Sequence, residues 1–165
     1  MIIEFAARQA YPRRVHLIRV LAILSVLNGF ALAGQAGSAR LVKVLPQFVD
    51  PQGRVALNPS LYERDAYQAH LRAHPAERAG LRFDVQWKSR ERVALKLRLE
   101  LRGNRGREGT TAVLEEPVKY RGLFGTWSKA LLTGDAYQKF GELSAWRATL
   151  WDGERLISEQ KSFLW

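Results

Sequence analysis

Residues 141–165 read Gly-Glu-Leu-Ser-Ala-Trp-Arg-Ala-Thr-Leu-Trp-Asp-Gly-Glu-Arg-Leu-Ile-Ser-Glu-Gln-Lys-Ser-Phe-Leu-Trp. Two strand-like runs flank Asp152-Gly153, and Asp-Gly between such runs is the strongest short-range signal of a β-hairpin. Trp146, Ala148 and Leu150 are spaced by two, so they share one face of the first run. The register of the second run stays open. A two-residue turn pairs Ala148 with Ile157, whereas a bulged turn lets Leu156 share the face with Leu150. A slip of one residue swaps the two faces of the last strand.

Moving outward, the same period recurs upstream. Leu81, Phe83, Val85 and Trp87 alternate with Arg82, Asp84, Gln86 and Lys88. Val93, Leu95, Leu97, Leu99 and Leu101 alternate with Ala94, Lys96, Arg98, Glu100 and Arg102. Alternation of this kind marks strands with one buried face in an antiparallel sheet. The short polar link Ser89-Arg90-Glu91-Arg92 predicts that these two strands pair as a hairpin. Gly103 to Gly109 is a basic loop. Thr110–Leu114 and Val118–Tyr120 form a weaker strand broken at Pro117, which places it at a sheet edge. Leu123–Thr133 reads as a strand, because Gly122, Gly125 and Gly134 disfavour a helix. Gly134–Gly141 reads as a loop or single helical turn crossing between sheets.

Towards the N-terminus, Leu41–Leu45 is a first strand restricted by Pro46, Asp50-Pro51-Gln52-Gly53 is a turn, and Arg54–Leu57 is a short continuation. Ser60 to His74 is the one clear helix. Ser60 and Glu63 have capping-box spacing ahead of Tyr62, Ala66, Tyr67 and Leu71, and Pro75 ends the run. The helix is expected over an edge or an end of the sheets, with Gly80 in a loop. The sum is a mostly β chain: an antiparallel β-sandwich of about seven strands with one helix over residues 60–74. In strand count and spacing it resembles the immunoglobulin and fibronectin type III sandwiches. That resemblance covers Leu41 to Trp165 and is one of pattern. The chain has no cysteine, which rules out the antibody-type core. Function does not follow from a fold of this kind.

Residues 1–33 read as an address and not as fold. Arg8, Arg13, Arg14 and Arg19 precede the apolar run Val20–Leu27, and Ala31 and Ala33 supply an Ala-x-Ala end. This is the pattern of a secretory signal peptide, with cleavage expected after Ala33 and Ala36 as second choice. The run is short of the roughly 20 apolar residues of a membrane span, so no stable span is expected after cleavage. Arg13-Arg14 also fits a twin-arginine export signal in part, while the general route fits better. Residues 34–39 form a small, polar lead-in, and residues 40–165 form the sandwich domain. The expected location is periplasmic or secreted.

The full chain carries 26 Lys+Arg against 16 Asp+Glu. Removing four Arg and one Glu with residues 1–33 leaves 22 basic and 15 acidic residues, a formal +7. Such a balance favours anionic partners, although the basic residues alternate along strands more than they cluster. Export makes nucleic acid an unfitting partner and leaves another envelope protein or an anionic polymer.

The chemical inventory is thin. There is no Gly-x-Ser-x-Gly, no dinucleotide fingerprint and no P-loop. Glu115 and Glu116 are adjacent, so a regular strand points them to opposite faces and they cannot flank one glycosidic bond. His70 and His74 are four apart on the helix and could face one metal, with Glu77 or Glu63 as third ligand. The favoured reading is two hydrated histidines near the helix C-terminus, stabilised by the dipole. The expectation is therefore no catalytic residue, no metal and no cofactor. Trp87 and Trp146 belong to the core. Trp151 faces away from Trp146 and is the expected surface aromatic. With Arg105 and Arg107 of the basic loop it makes a candidate surface for a carbohydrate or an anionic polymer.

Overall fold

The computed structural model describes residues 39–91, 94–106, 108–119 and 125–165. The expected signal peptide, the lead-in as far as residue 38 and the loop residue Arg107 lie outside these. Seven strands and two α-helices follow in the order β1 (Ala39–Val49), α1 (Leu61–Ala73), a 3-10 turn (Pro75–Glu77), β2 (Gly80–Ser89), β3 (Ala94–Gly103), β4 (Thr110–Lys119), β5 (Thr126–Thr133), α2 (Gly134–Phe140), β6 (Leu143–Asp152) and β7 (Arg155–Lys161). The strands form two antiparallel sheets, ordered β1-β2-β5 and β4-β3-β6-β7.

Alternation decides which face each strand buries. Leu81, Phe83, Val85 and Trp87 of β2 meet Leu95, Leu97, Leu99 and Leu101 of β3, with Ala148 and Leu150 of β6, in one shared core. Each such leucine contributes about 1.5–3 kcal/mol on burial, which suffices without disulfides in a domain of this size.

Several local expectations change. β2 and β3 do not pair: β2 sits between β1 and β5, and β3 between β4 and β6. Their polar link carries the chain from one sheet to the other, because two strands with equally apolar faces can meet face to face as well as edge to edge. Gly80 opens β2 and is not a loop residue; a Cβ there would stand 2.6 Å from the Leu132 carbonyl oxygen. Residues 54–57 form no strand. β4 runs unbroken through Pro117, which its edge position tolerates. In the closing hairpin Asp152 pairs with Arg155, so Gly153-Glu154 is the turn. Gly153 alone has positive φ (56°), as the first central residue of a type II′ turn requires. A bulge at Ile157 then pairs Ala148 with Gln160, and Leu156 lies opposite Trp151, not on the Leu150 face. β7 ends at Lys161, and the Ser162 hydroxyl accepts the Trp146 N–H at 3.0 Å.

Helix α1 lies over the β1 edge, as expected. No capping box forms: the Ser60 side chain caps nothing, and its N–H goes to Asn58 Oδ1. The buried stripe is narrow, with Gln68 and Leu71 buried while Tyr62 and Ala66 face solvent. Gln68 behaves as a substitute strand. Its Oε1 accepts the Phe48 N–H at 2.8 Å, and its Nε2 donates to the Phe48 and Val55 carbonyls, both at 2.9 Å. An otherwise bare strand edge is satisfied this way.

Candidate functional site

The expected surface does not assemble. Trp151 pairs with Lys96 near the start of β3, whereas Arg105 follows Gly103 at its other end. Seven residues of extended chain, about 23 Å, separate those ends. Trp151 does lie on the face opposite Trp146, but it is half-buried, and its Nε1 donates to Thr149 Oγ1 at 2.8 Å. Arg105 donates to the Gln138 carbonyl and so ties the β3–β4 loop to α2. Of the five tryptophans the exposed one is Trp127, at 47%.

The outer face of the larger sheet shows why alternating charge does not make a basic patch. Arg98 reaches Glu115 at 3.6 Å and Glu100 at 3.1 Å. Arg147 reaches Glu100 at 3.4 Å and Glu159 at 2.8 Å. A row of paired charges thus crosses all four strands. Glu115 is engaged there, also by Lys96 at 3.4 Å, while Glu116 turns to the other face.

The two flanks of the sandwich differ. At the β1/β7 flank, Ser158 Oγ accepts the Leu41 N–H at 3.0 Å and Gln160 Nε2 donates to the Val42 carbonyl at 3.3 Å, which stitches the sheets together. At the β4/β5 flank a cleft of about 380 Å³ separates the edges. Trp127 lines it with Lys119 and Lys129, and Glu116 is on its wall. Sequence pattern marked β5 as a strand, but gave no sign that its tryptophan stands at an open flank.

A second cluster follows the C-terminal half of α1. The chain turns at Asp50, 3% exposed, whose Oδ1 accepts the Gln52 and Arg54 N–H groups at 3.0 and 2.8 Å. Its Oδ2 accepts Arg54 Nε and the Tyr67 hydroxyl, each at 2.7 Å. Burial pushes the Asp50 carboxyl up, but hydrogen bonds from the Arg54 backbone, Tyr67 and the Arg54 side chain outweigh it and hold the group below its ordinary 3.8. The same bond to Asp50, together with burial, raises the Tyr67 phenol. A carboxyl with a lowered folded-state pKa stabilises fully above its unfolded value, and the contribution is lost as pH falls through the folded value. Urea midpoints are therefore expected to fall below about pH 4, and Asp50→Asn to flatten that fall while lowering the neutral-pH midpoint. Parallel midpoint curves for the two proteins would show that Asp50 contributes nothing.

One turn further along, the His70 and His74 rings stack with centroids 4.1 Å apart, and Tyr67 lies 6.2 Å from His70. Both histidines occupy the helix C-terminus, where the dipole favours them. His74 Nδ1 bonds the His70 carbonyl at 2.9 Å. The 3-10 turn opened by Pro75 brings Glu77 back so that its Oε2 stands 2.7 Å from His70 Nε2. Glu63, the other third ligand considered, does not join this group. Among the described residues no helix is long and apolar enough to cross a membrane. No protein-family model matches the chain, and no curated protein or solved structure matches it either.

Proposed function

We propose that the chain is an exported, non-enzymatic β-sandwich that serves as a binding module of the cell envelope, with an anionic polysaccharide as ligand. The observation that carries this is Trp127, exposed in the β4/β5 cleft that Lys119 and Lys129 also line. An indole ring stacks on the apolar face of a sugar, and lysines pair with its carboxylate or phosphate groups. Glu116, on the cleft wall, supplies a carboxylate that can accept from sugar hydroxyls. The Arg-bearing leader and its Ala-x-Ala end support export, and the formal +7 of the mature chain suits an anionic partner. The strand order β1-β2-β5 against β4-β3-β6-β7 supports the finer likeness to fibronectin type III sandwiches, which are common binding scaffolds.

The test is retention on immobilised envelope polysaccharide by protein recovered from the periplasmic fraction. Trp127→Ala is expected to weaken retention about tenfold, equivalent to about 1.4 kcal/mol, with an unchanged melting temperature. Trp151→Ala should have no such effect. Retention indifferent to Trp127, or a cytoplasmic protein that keeps residues 1–33, overturns the reading.

A further inference from the structure

We propose that His70, His74 and Glu77 form a binding site for one divalent ion of the zinc class, on a different element from the cleft and independent of it. Their ligand atoms lie within 4.8 Å of one another. Zinc bonds of about 2.0–2.2 Å in tetrahedral array place ligand atoms about 3.4 Å apart. Closing the set therefore asks the ligand atoms to move by about 1 Å and the two rings, stacked at 24° to one another, to turn until both lone pairs point at the ion, rotations that exposed side chains can make.

Two features prepare the site. The first is the tautomer of His74. A carbonyl oxygen only accepts, so Nδ1 of His74 carries the hydrogen bonded to the His70 carbonyl at 2.9 Å. In the neutral ring this leaves the lone pair on Nε2, the arrangement that backbone carbonyls impose on metal-binding histidines. The second is the backbone. The Glu77 N–H bonds the His74 carbonyl at 3.1 Å, and the next residue, Arg78, is buried and donates to the Leu71 and Arg72 carbonyls. The helix end and the turn carrying Glu77 are thus held together, so the three ligands start from a fixed frame.

In the metal-free protein a proton lies between His70 Nε2 and Glu77 Oε2, 2.7 Å apart. A metal ion takes its place: His70 changes tautomer, its Nε2 proton going to solvent while Nδ1 takes one up, and the freed Nε2 lone pair and the Glu77 carboxylate bond the ion. Two imidazoles and one carboxylate suit Zn²⁺ or Cu²⁺ and not Mg²⁺ or Ca²⁺, which prefer all-oxygen sets. Water completes the coordination, since all three residues face solvent.

The test is a calorimetric titration of ZnCl₂ into the full chain, prepared without a polyhistidine tag. One saturable equivalent is expected, unaffected by millimolar Mg²⁺. His70→Gln, His74→Gln and Glu77→Gln should each weaken binding at least about tenfold, and His16→Gln should not. Melting temperatures without metal check that the variants fold. In the unmodified chain, shifts of the His70 and His74 ring proton resonances at one equivalent give a readout that needs no variant. Absence of saturable uptake, equal competition by Mg²⁺, ring resonances that do not move, or three variants that bind like the wild type would overturn the site.

Discussion

Trp87→Ala is expected to lower the unfolding free energy by about 4 kcal/mol, the range for an aromatic side chain removed from a closed core. Trp87 is 0% exposed. It lies on the central strand of the smaller sheet, between Leu41 and Thr126, and faces the larger sheet. Its Nε1 donates to Ser128 Oγ at 3.0 Å, so the ring also ties β2 to β5. Neighbours fixed in two sheets cannot collapse far into the vacated volume, which places the loss toward the upper part of the range. In urea the midpoint should fall without a change in slope, and the melting temperature should drop by about 15 °C. Trp87→Phe keeps most of the volume and drops the hydrogen bond, so it should cost about 1–2 kcal/mol. Trp127→Ala removes the same kind of ring from an open flank and should stay within about 0.5 kcal/mol. Near-equal losses for Trp87→Ala and Trp127→Ala would contradict two sheets sharing one core.

That contrast between two tryptophans shows what periodicity can carry. Alternation over 81–87 and 95–101 states which face of a strand is oily, and every one of those apolar residues is buried. It does not state which strand lies alongside. β2 and β3 were expected to pair because their link is short, yet a short link also spans the gap between two packed sheets, and the choice rests on contacts far along the chain. The final hairpin repeats the lesson on a smaller scale. Its existence was legible in Asp152-Gly153, but the turn formed one residue later, and Ile157 bulged so that Ser158 and Gln160 face β1. Side chain–backbone bonds to the opposite sheet set that register, and no local pattern encodes them.

The candidate sites divide in the same way. His70 and His74 were legible because helical spacing is local, and Glu77 was within reach because only a proline turn separates it. Trp151 and Arg105 were grouped on exposure and charge alone, and the strand between them keeps them apart. Trp127 was missed because its exposure depends on a flank left open by β4, a relation between strands not adjacent in either sheet. Gln68 was missed because a buried amide inside a helix makes sense only with the β1 edge in place.

Arg78 was likewise silent in the sequence, and it carries the second large effect: Arg78→Ala is expected to cost about 3 kcal/mol, the lower part of the range for breaking a buried charge's contacts. The guanidinium side chain is 4% exposed. It donates to the Leu71 and Arg72 carbonyls at the end of α1, pairs with Glu142 Oε1 at 2.6 Å and lies 4.1 Å over the Phe48 ring. One planar group therefore joins the helix end, β1 and the segment before β6. Without it two terminal carbonyls lose their donor, and each buried unsatisfied group costs about 1–3 kcal/mol, less where water enters. Arg78→Lys should recover little of the loss, because a single ammonium cannot reproduce the fork that spans two carbonyls and a carboxylate. Glu142→Gln should cost under about 1 kcal/mol, since that carboxylate is 53% exposed and water replaces it. Urea midpoints of the three variants distinguish the roles. If the Glu142 variant loses as much as Arg78→Ala, the ion pair is the main support. If Arg78→Lys is wild-type, charge alone suffices. A large loss for both Arg78 variants beside a small one for Glu142 identifies the carbonyl fork as the clasp that holds α1, and the His70–Glu77 frame with it, against the sandwich.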